Sequence, residues 1–200
     1  MSTGLAMKRQ ITREDILPMA KYEAERRELR RDLVAKKKFR RQDVGPVCTF
    51  YFESYETMWA QVHEMLYIEK GGEAQIADEL SAYNPLIPQG RELVATVMFE
   101  IDDPQRRQTF LAKLGGIEET AFFEVDGERI AGKPEEDVDR TTADGKASSV
   151  QFIHFPFTDA QVEKFKQPNT RVILGFTHPE YAHMTILPED VRSALAQDFA

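Results

Sequence analysis

The sequence predicts an α+β fold: long N-terminal helices, a ferredoxin-like split βαβ sheet and a C-terminal helix. Three observations predict it. Lys21 to Arg41 is rich in helix formers and charge, with Tyr22, Leu29 and Leu33 as a sparse apolar stripe. Beyond residue 90 a strand, helix, strand order occurs twice, which is the element order of a split βαβ domain. From Pro188 onward, Val191, Leu195 and Phe199 recur at helical spacing. The division expected from this is a helical arm and helix-rich lobe over 1–90 and a sheet lobe over 91–200, within one continuous domain.

Each element has local grounds. Thr12 with Glu14 and Asp15 reads as a capped helix start, interrupted by Pro18. The charged helix is expected over Lys21 to Arg41, ended by Gly45-Pro46. Val47 to Phe52 is short, apolar and rich in β-formers, hence a strand with Cys48, Phe50 and Phe52 on one face. Ser54 caps a helix from Tyr55 to about Lys70, and Gly71-Gly72 breaks it. Glu73 to Ala82 is a shorter helix, followed by the extended turn Asn84 to Pro88. Leu93, Ala95, Val97, Phe99 and Ile101 alternate as one buried strand face. Asp103-Pro104 opens a helix to Leu114, and Ala121 to Val125 is a strand ending in the hairpin signal Asp126-Gly127. The second unit is a strand from Val150 to Phe157, a helix capped by Thr158 with Gln161, and a strand from Arg171 to Thr177. Between the two units, Gly132 to Ala147 is a polar, acidic loop.

The chain has 200 residues, 42% of them hydrophobic, including thirteen Phe. That length supports a core without help from disulfides or metals. A single cysteine, Cys48, excludes an internal disulfide and every CxxC pattern. No apolar run approaches the ~20 residues of a membrane span, and Met1 to Gln10 lacks a signal-peptide core, so a cytoplasmic protein is expected. The net charge of -8 argues against general nucleic-acid binding. It is unevenly spread: Lys21 to Arg41 holds ten cations and four carboxylates, +6, which leaves -14 for the rest. Such asymmetry points either to a solvated helix face or to an acidic partner.

Chemistry-bearing residues are few. On a helical wheel Glu69 falls between Met58 and Val62, within the apolar arc. A carboxylate there needs a cation, a metal or a donor, unless the helix end frays toward water. His63 lies at the margin of the same arc. His154 shares a strand face with Val150 and Phe152, and His178-Pro-Glu-Tyr-Ala-His183 is a turn with two imidazoles. Glu69, His63, His154, His178 and His183 are therefore the candidate ligands for iron, manganese or zinc. The alternative for the histidines is packing and strand capping. Asp144-Gly145-Lys146 resembles a phosphate loop but departs from it at Arg140 and Ala147. Lys37, Lys38, Arg40, Arg41, Asn84 and Lys146 are the candidates for contacting an anion or a partner. Neither a Gly-x-Ser-x-Gly nor a Gly-x-Gly-x-x-Gly element occurs.

Several segments together carry a resemblance. They are Lys37-Lys38 with Arg40-Arg41, Gln61-Val-His-Glu-Met-Leu66 with Ile68-Glu69, Ala82-Tyr-Asn-Pro-Leu-Ile-Pro88, Lys146 with Ser148-Ser149, and His178-Pro with Tyr181. From about Thr12 to Asp198 the chain resembles the bacterial domain of unknown function 3501 family. The resemblance implies a context, since relatives are commonly encoded beside rubrerythrin-like proteins and iron–sulfur oxidoreductase subunits. It carries no catalytic residues. The function expected is an accessory factor that binds a redox partner in peroxide or oxygen defence. The alternatives are a metal-dependent enzyme and a small-anion sensor, and a homodimer is among the assemblies considered.

Overall fold

The structure is a computed structural model and describes residues 8–135, 140–143 and 145–200. Residues 136–139 of the acidic loop, Asp144 of the phosphate-loop-like segment and the first seven residues lie outside the described residues. The fold is α+β, with six α-helices and two antiparallel sheets among the described residues. The chain forms two units. One joins the described residues up to Lys38 to Glu53–Gln89, and the other joins Phe39–Phe52 to Gly90–Ala200. No helix among the described residues is long and apolar enough to cross a membrane.

The first unit is helical. Helix α1 spans Met19–Lys37, α2 Tyr55–Glu69 and α3 Glu73–Tyr83. The Ser54 hydroxyl accepts the Thr57 N–H and starts α2 as its sequence predicts. Lys70 takes the left-handed conformation, φ 57°, and stops it. The N-terminal segment is held to the far end of the unit. The Asn84 side-chain amide both accepts from the Ile11 N–H and donates to the Ile11 carbonyl.

Helix α1 ends earlier than the sequence predicts. Arg41–Val44 is strand β1 and pairs with β2, Cys48–Phe52, in the register Arg41 opposite Tyr51 to Val44 opposite Cys48. Gly45-Pro46 is thus part of a hairpin turn, not a helix stop. Burying Val44 completely and forming the ladder outweighs the helical propensity of this stretch. Gly45 has φ 68°, and a Cβ there would come within 2.7 Å of the Tyr181 hydroxyl and His183 Cγ, so the turn requires glycine.

The second unit holds every strand among the described residues. The others are β3 Glu92–Phe99, β4 Ala121–Val125, β5 Glu128–Ala131, β6 Lys133–Pro134, β7 Val150–Pro156, β8 Val172–Phe176 and β9 Met184–Ile186. One sheet has the order β1-β2-β3-β7-β6 and the other β5-β4-β8-β9. Helix α4, Pro104–Leu111, therefore leads from β3 in one sheet to β4 in the other. Helix α5, Asp159–Lys166, leads likewise from β7 to β8. Here the structure corrects the single split sheet that the element order predicts. The strand, helix, strand units exist, but each crosses between two stacked sheets. Alternation fixes one buried face per strand and leaves open which strands pair.

The two inner faces meet through phenylalanine. Phe123 packs edge-on against Phe155 at 4.8 Å between ring centres and against Phe165 at 6.2 Å. Phe50 meets Phe176 at 5.2 Å. Helix α6, Glu189–Leu195, brings Val191 and Leu195 to this core, and Phe199 follows it. The chain end is fixed there by Arg40, whose guanidinium pairs with the Asp198 carboxylate while both side chains are nearly buried.

Candidate docking site

Helix α1 has two unlike sides. Tyr22, Leu29 and Leu33 follow one another at seven and four residues and share one face. Arg27, Arg31 and Lys38 share the opposite face, and all three are exposed. Tyr22 is the one buried residue among the nineteen of the helix.

The start of α1 is anchored to α2. The Tyr22 hydroxyl donates to Glu64 Oε1 at 2.6 Å, and Arg26 grips the same carboxylate through Nε and Nη2 at 2.8 and 2.7 Å. The Arg26 guanidinium holds the Glu64 carboxyl below the usual carboxylate range. Burial, with Glu64 beside it, pushes the Tyr22 phenol up. The Trp59 indole donates to the Asp15 carbonyl at 2.9 Å and closes the same end.

The far half of α1 is open. Contacts pass from Tyr22–His63 at its start to Lys36–Glu56 near its end, so α1 and α2 run antiparallel. A groove of about 660 Å³ lies between them. Leu29, Leu33 and Val34 line one wall, and Ala60, Met65 and Ile68 the other. Val34 is 69% exposed and Ile68 63%. The charges are sorted by wall. The α1 wall carries Arg30, Lys36 and Lys37 against Asp32 alone, whereas the α2 wall carries Glu56 and Glu64 and no cation. Two long ion pairs bridge the walls, Arg30–Glu64 at 3.6 Å and Lys36–Glu56 at 3.8 Å. Pairs this exposed contribute about 0–1 kcal/mol each.

The candidate metal ligands sit as follows. Glu69 is exposed and accepts from the Gln75 amide at 2.7 Å, so its place on the apolar arc does not bury it. The helix ends at Glu69, and even its neighbour Ile68 points to solvent. His63 is fully buried; Nε2 accepts the Leu17 N–H at 3.0 Å, and Nδ1 faces the Trp59 carbonyl at 2.7 Å. That pattern fixes the neutral tautomer protonated at Nδ1, and burial lowers the pKa of the ring. Both ring nitrogens of His63 are thus engaged in joining the N-terminal segment to α2. His178 Nδ1 accepts the Glu180 N–H and Nε2 donates to the Gly115 carbonyl, each at 3.2 Å. His183 is exposed and lies against Tyr181, ring centres 4.5 Å apart. His154 has the most charged setting: Glu92 lies 3.1 Å from Nδ1 and Glu135 3.9 Å from Nε2. Glu135 and Glu92 raise its pKa to about 9, so the ring is an imidazolium at neutral pH. Glu69 and His63 belong to the first unit, and the other three histidines to the second. Among the described residues no group of three or more His, Cys, Asp or Glu is placed to hold a metal ion.

Of the candidate anion and partner contacts, Lys37 lines the groove and Lys38 caps α1. Arg40 is engaged by Asp198, and Asn84 by the Ile11 backbone. Arg41 stands on β1, pairs with Asp43 at 3.3 Å and covers the Tyr51 ring. The Lys146 N–H donates to the Thr142 hydroxyl at 3.1 Å within a turn. Sequence reasoning missed Asp198, Glu92 and Glu135, whose partners are distant in the chain. It also missed the groove, although the sparse Leu29–Leu33 stripe signals an unfilled face. Cys48 is buried, and burial pushes its thiol well up, as an inert packing residue requires.

Fold and site together define an α+β protein with a two-sheet unit and a helical unit that displays a cationic helix beside an open apolar groove. The chain belongs to the family described as "Protein of unknown function (DUF3501)", whose model matches residues 10–199. It is similar to a crystal structure of a novel protein of unknown function from Burkholderia pseudomallei K96243. The two are 35% identical with a TM-score of 0.88, and the match covers 96% of this chain and all of that one. No curated protein matches the chain.

Proposed function

We propose that the protein is an accessory factor that docks an acidic partner through the outer face of α1. The setting is the peroxide or oxygen defence that the family resemblance implies, with a rubrerythrin-like protein or an iron–sulfur oxidoreductase subunit as the partner. The observation that carries this reading is the stripe Arg27, Arg31 and Lys38, exposed on a helix whose opposite side is anchored through Tyr22 and Arg26. It lies within the stretch that carries +6 in a chain of net charge -8. Charge displayed in this way steers association with an oppositely charged surface and weakens as salt rises. Arg40 and Arg41, part of the same cationic run in the sequence, are held by Asp198 and on β1, so the reading rests on the helix alone.

The test is binding of purified rubrerythrin-like protein from the same organism to immobilised protein over a range of salt. Affinity is expected to fall as salt rises. The double variant Arg27→Glu, Arg31→Glu should lose at least about tenfold in affinity, the scale of 1.4 kcal/mol. An affinity indifferent to both salt and the double variant would remove α1 from the account.

A further inference from the structure

The other side of α1 is unfinished. A nineteen-residue helix in water is only marginally stable by itself and normally gains stability by burying an apolar face. Here the first turns are anchored, yet Leu29 and Leu33 are only half-buried and Val34 is exposed. Ile68 of α2 is exposed beside the same groove. An open apolar channel between two antiparallel helices is what remains when two of the four helices of a bundle are present.

The charges select the occupant. A segment of one sign meets like charge on one wall, because Arg30, Lys36 and Lys37 face it from α1 beside the single carboxylate Asp32, and Glu56 faces it from α2, where Glu64 is already held by Arg26. The same hairpin rotated about a two-fold axis through the groove meets no such conflict. It lays the cationic α1 on the acidic α2 of its mate, twice, and the association closes on itself. Apolar contact then falls at the centre and opposite charges at the rim. We infer that the α1–α2 groove is closed by the α1–α2 hairpin of a second copy, giving a two-fold four-helix dimer. This inference goes beyond the proposed docking role, and Arg27, Arg31 and Lys38 are not among the residues that line the groove.

Sedimentation of the full chain over a micromolar range tests it, with twice 23.0 kDa expected at the upper end. Val34→Asp with Ile68→Asp should return the mass to that of one chain, with the thermal unfolding of the parent protein at a dilution where it is a single chain, since both side chains are exposed within the chain. Lys36→Glu should weaken dimerisation by about tenfold, and adding Glu56→Lys should restore it, because the unlike walls are then exchanged rather than lost. A single-chain mass at every concentration overturns the inference, as does a dimer that survives Val34→Asp with Ile68→Asp. The Arg27→Glu, Arg31→Glu variant keeps the dimer mass and separates the two readings. A dimer whose acidic partner does not bind overturns the docking role alone. A single chain that still binds the partner overturns the dimer alone.

Discussion

The two units solve the problem of burial differently. In the second, β2, β3, β4, β7 and β8 turn their apolar faces onto one another, and Phe123, Phe155, Phe165 and Phe176 are almost wholly enclosed. In the first, the longest helix buries Tyr22 and holds its far half open to solvent. The second unit encloses its phenylalanines within its own contacts, and the first holds an open groove. Stability should therefore be lost by editing the second unit, and association by editing the first.

The largest effect is expected at Phe123, which touches Phe52, Phe155, Phe157 and Phe165. Phe123→Ala should lower the free energy of unfolding in urea by about 3–5 kcal/mol, the cost of an unfilled cavity among rings. A loss below about 1 kcal/mol would mean that the sandwich core tolerates voids as a loose interior does.

A smaller, pH-dependent effect belongs to His154. Its pKa is raised in the folded protein, so the stabilisation is fully present below the ordinary histidine value of about 6.5. It is lost as pH rises through the folded value of about 9. His154→Gln should cost roughly 1–2 kcal/mol at pH 6, as for a charge-assisted hydrogen bond. The difference from the parent protein should shrink steadily toward pH 10. A difference that grows with pH would show that Glu92 and Glu135 do not act on the ring as the geometry indicates.

Much of this was legible in the sequence, where local rules govern. Ser54, Thr158 and Asp126-Gly127 mark a cap, a capping box and a hairpin, and each stands where expected. Strand β7 alternates between buried and half-buried positions, and β4 and β8 fall within the ranges expected for them, buried along nearly their whole length. The non-local choices were not legible. Strand β9 is three residues long with Met184 and Ile186 exposed, too short and too wet to carry a period. Strand β1 reads as helix until its partner Cys48–Phe52 is known. Glu69 shows the limit of the helical wheel, which assigns an angle but not a depth and so loses its meaning at a helix end. His154 shows the same limit in a sheet: its face was legible, while Glu92 and Glu135 arrive through pairing between strands far apart in the chain.

Hydrogen exchange along α1 as a function of protein concentration tests the central claim most directly. If the open half of the helix is completed by a second molecule, the amides from Leu29 to Lys37 should become more protected as concentration rises. Those of β3 and β7 should not change. Protection of Leu29 to Lys37 that is high and independent of concentration would contradict the account, because the helix would then be complete within one chain.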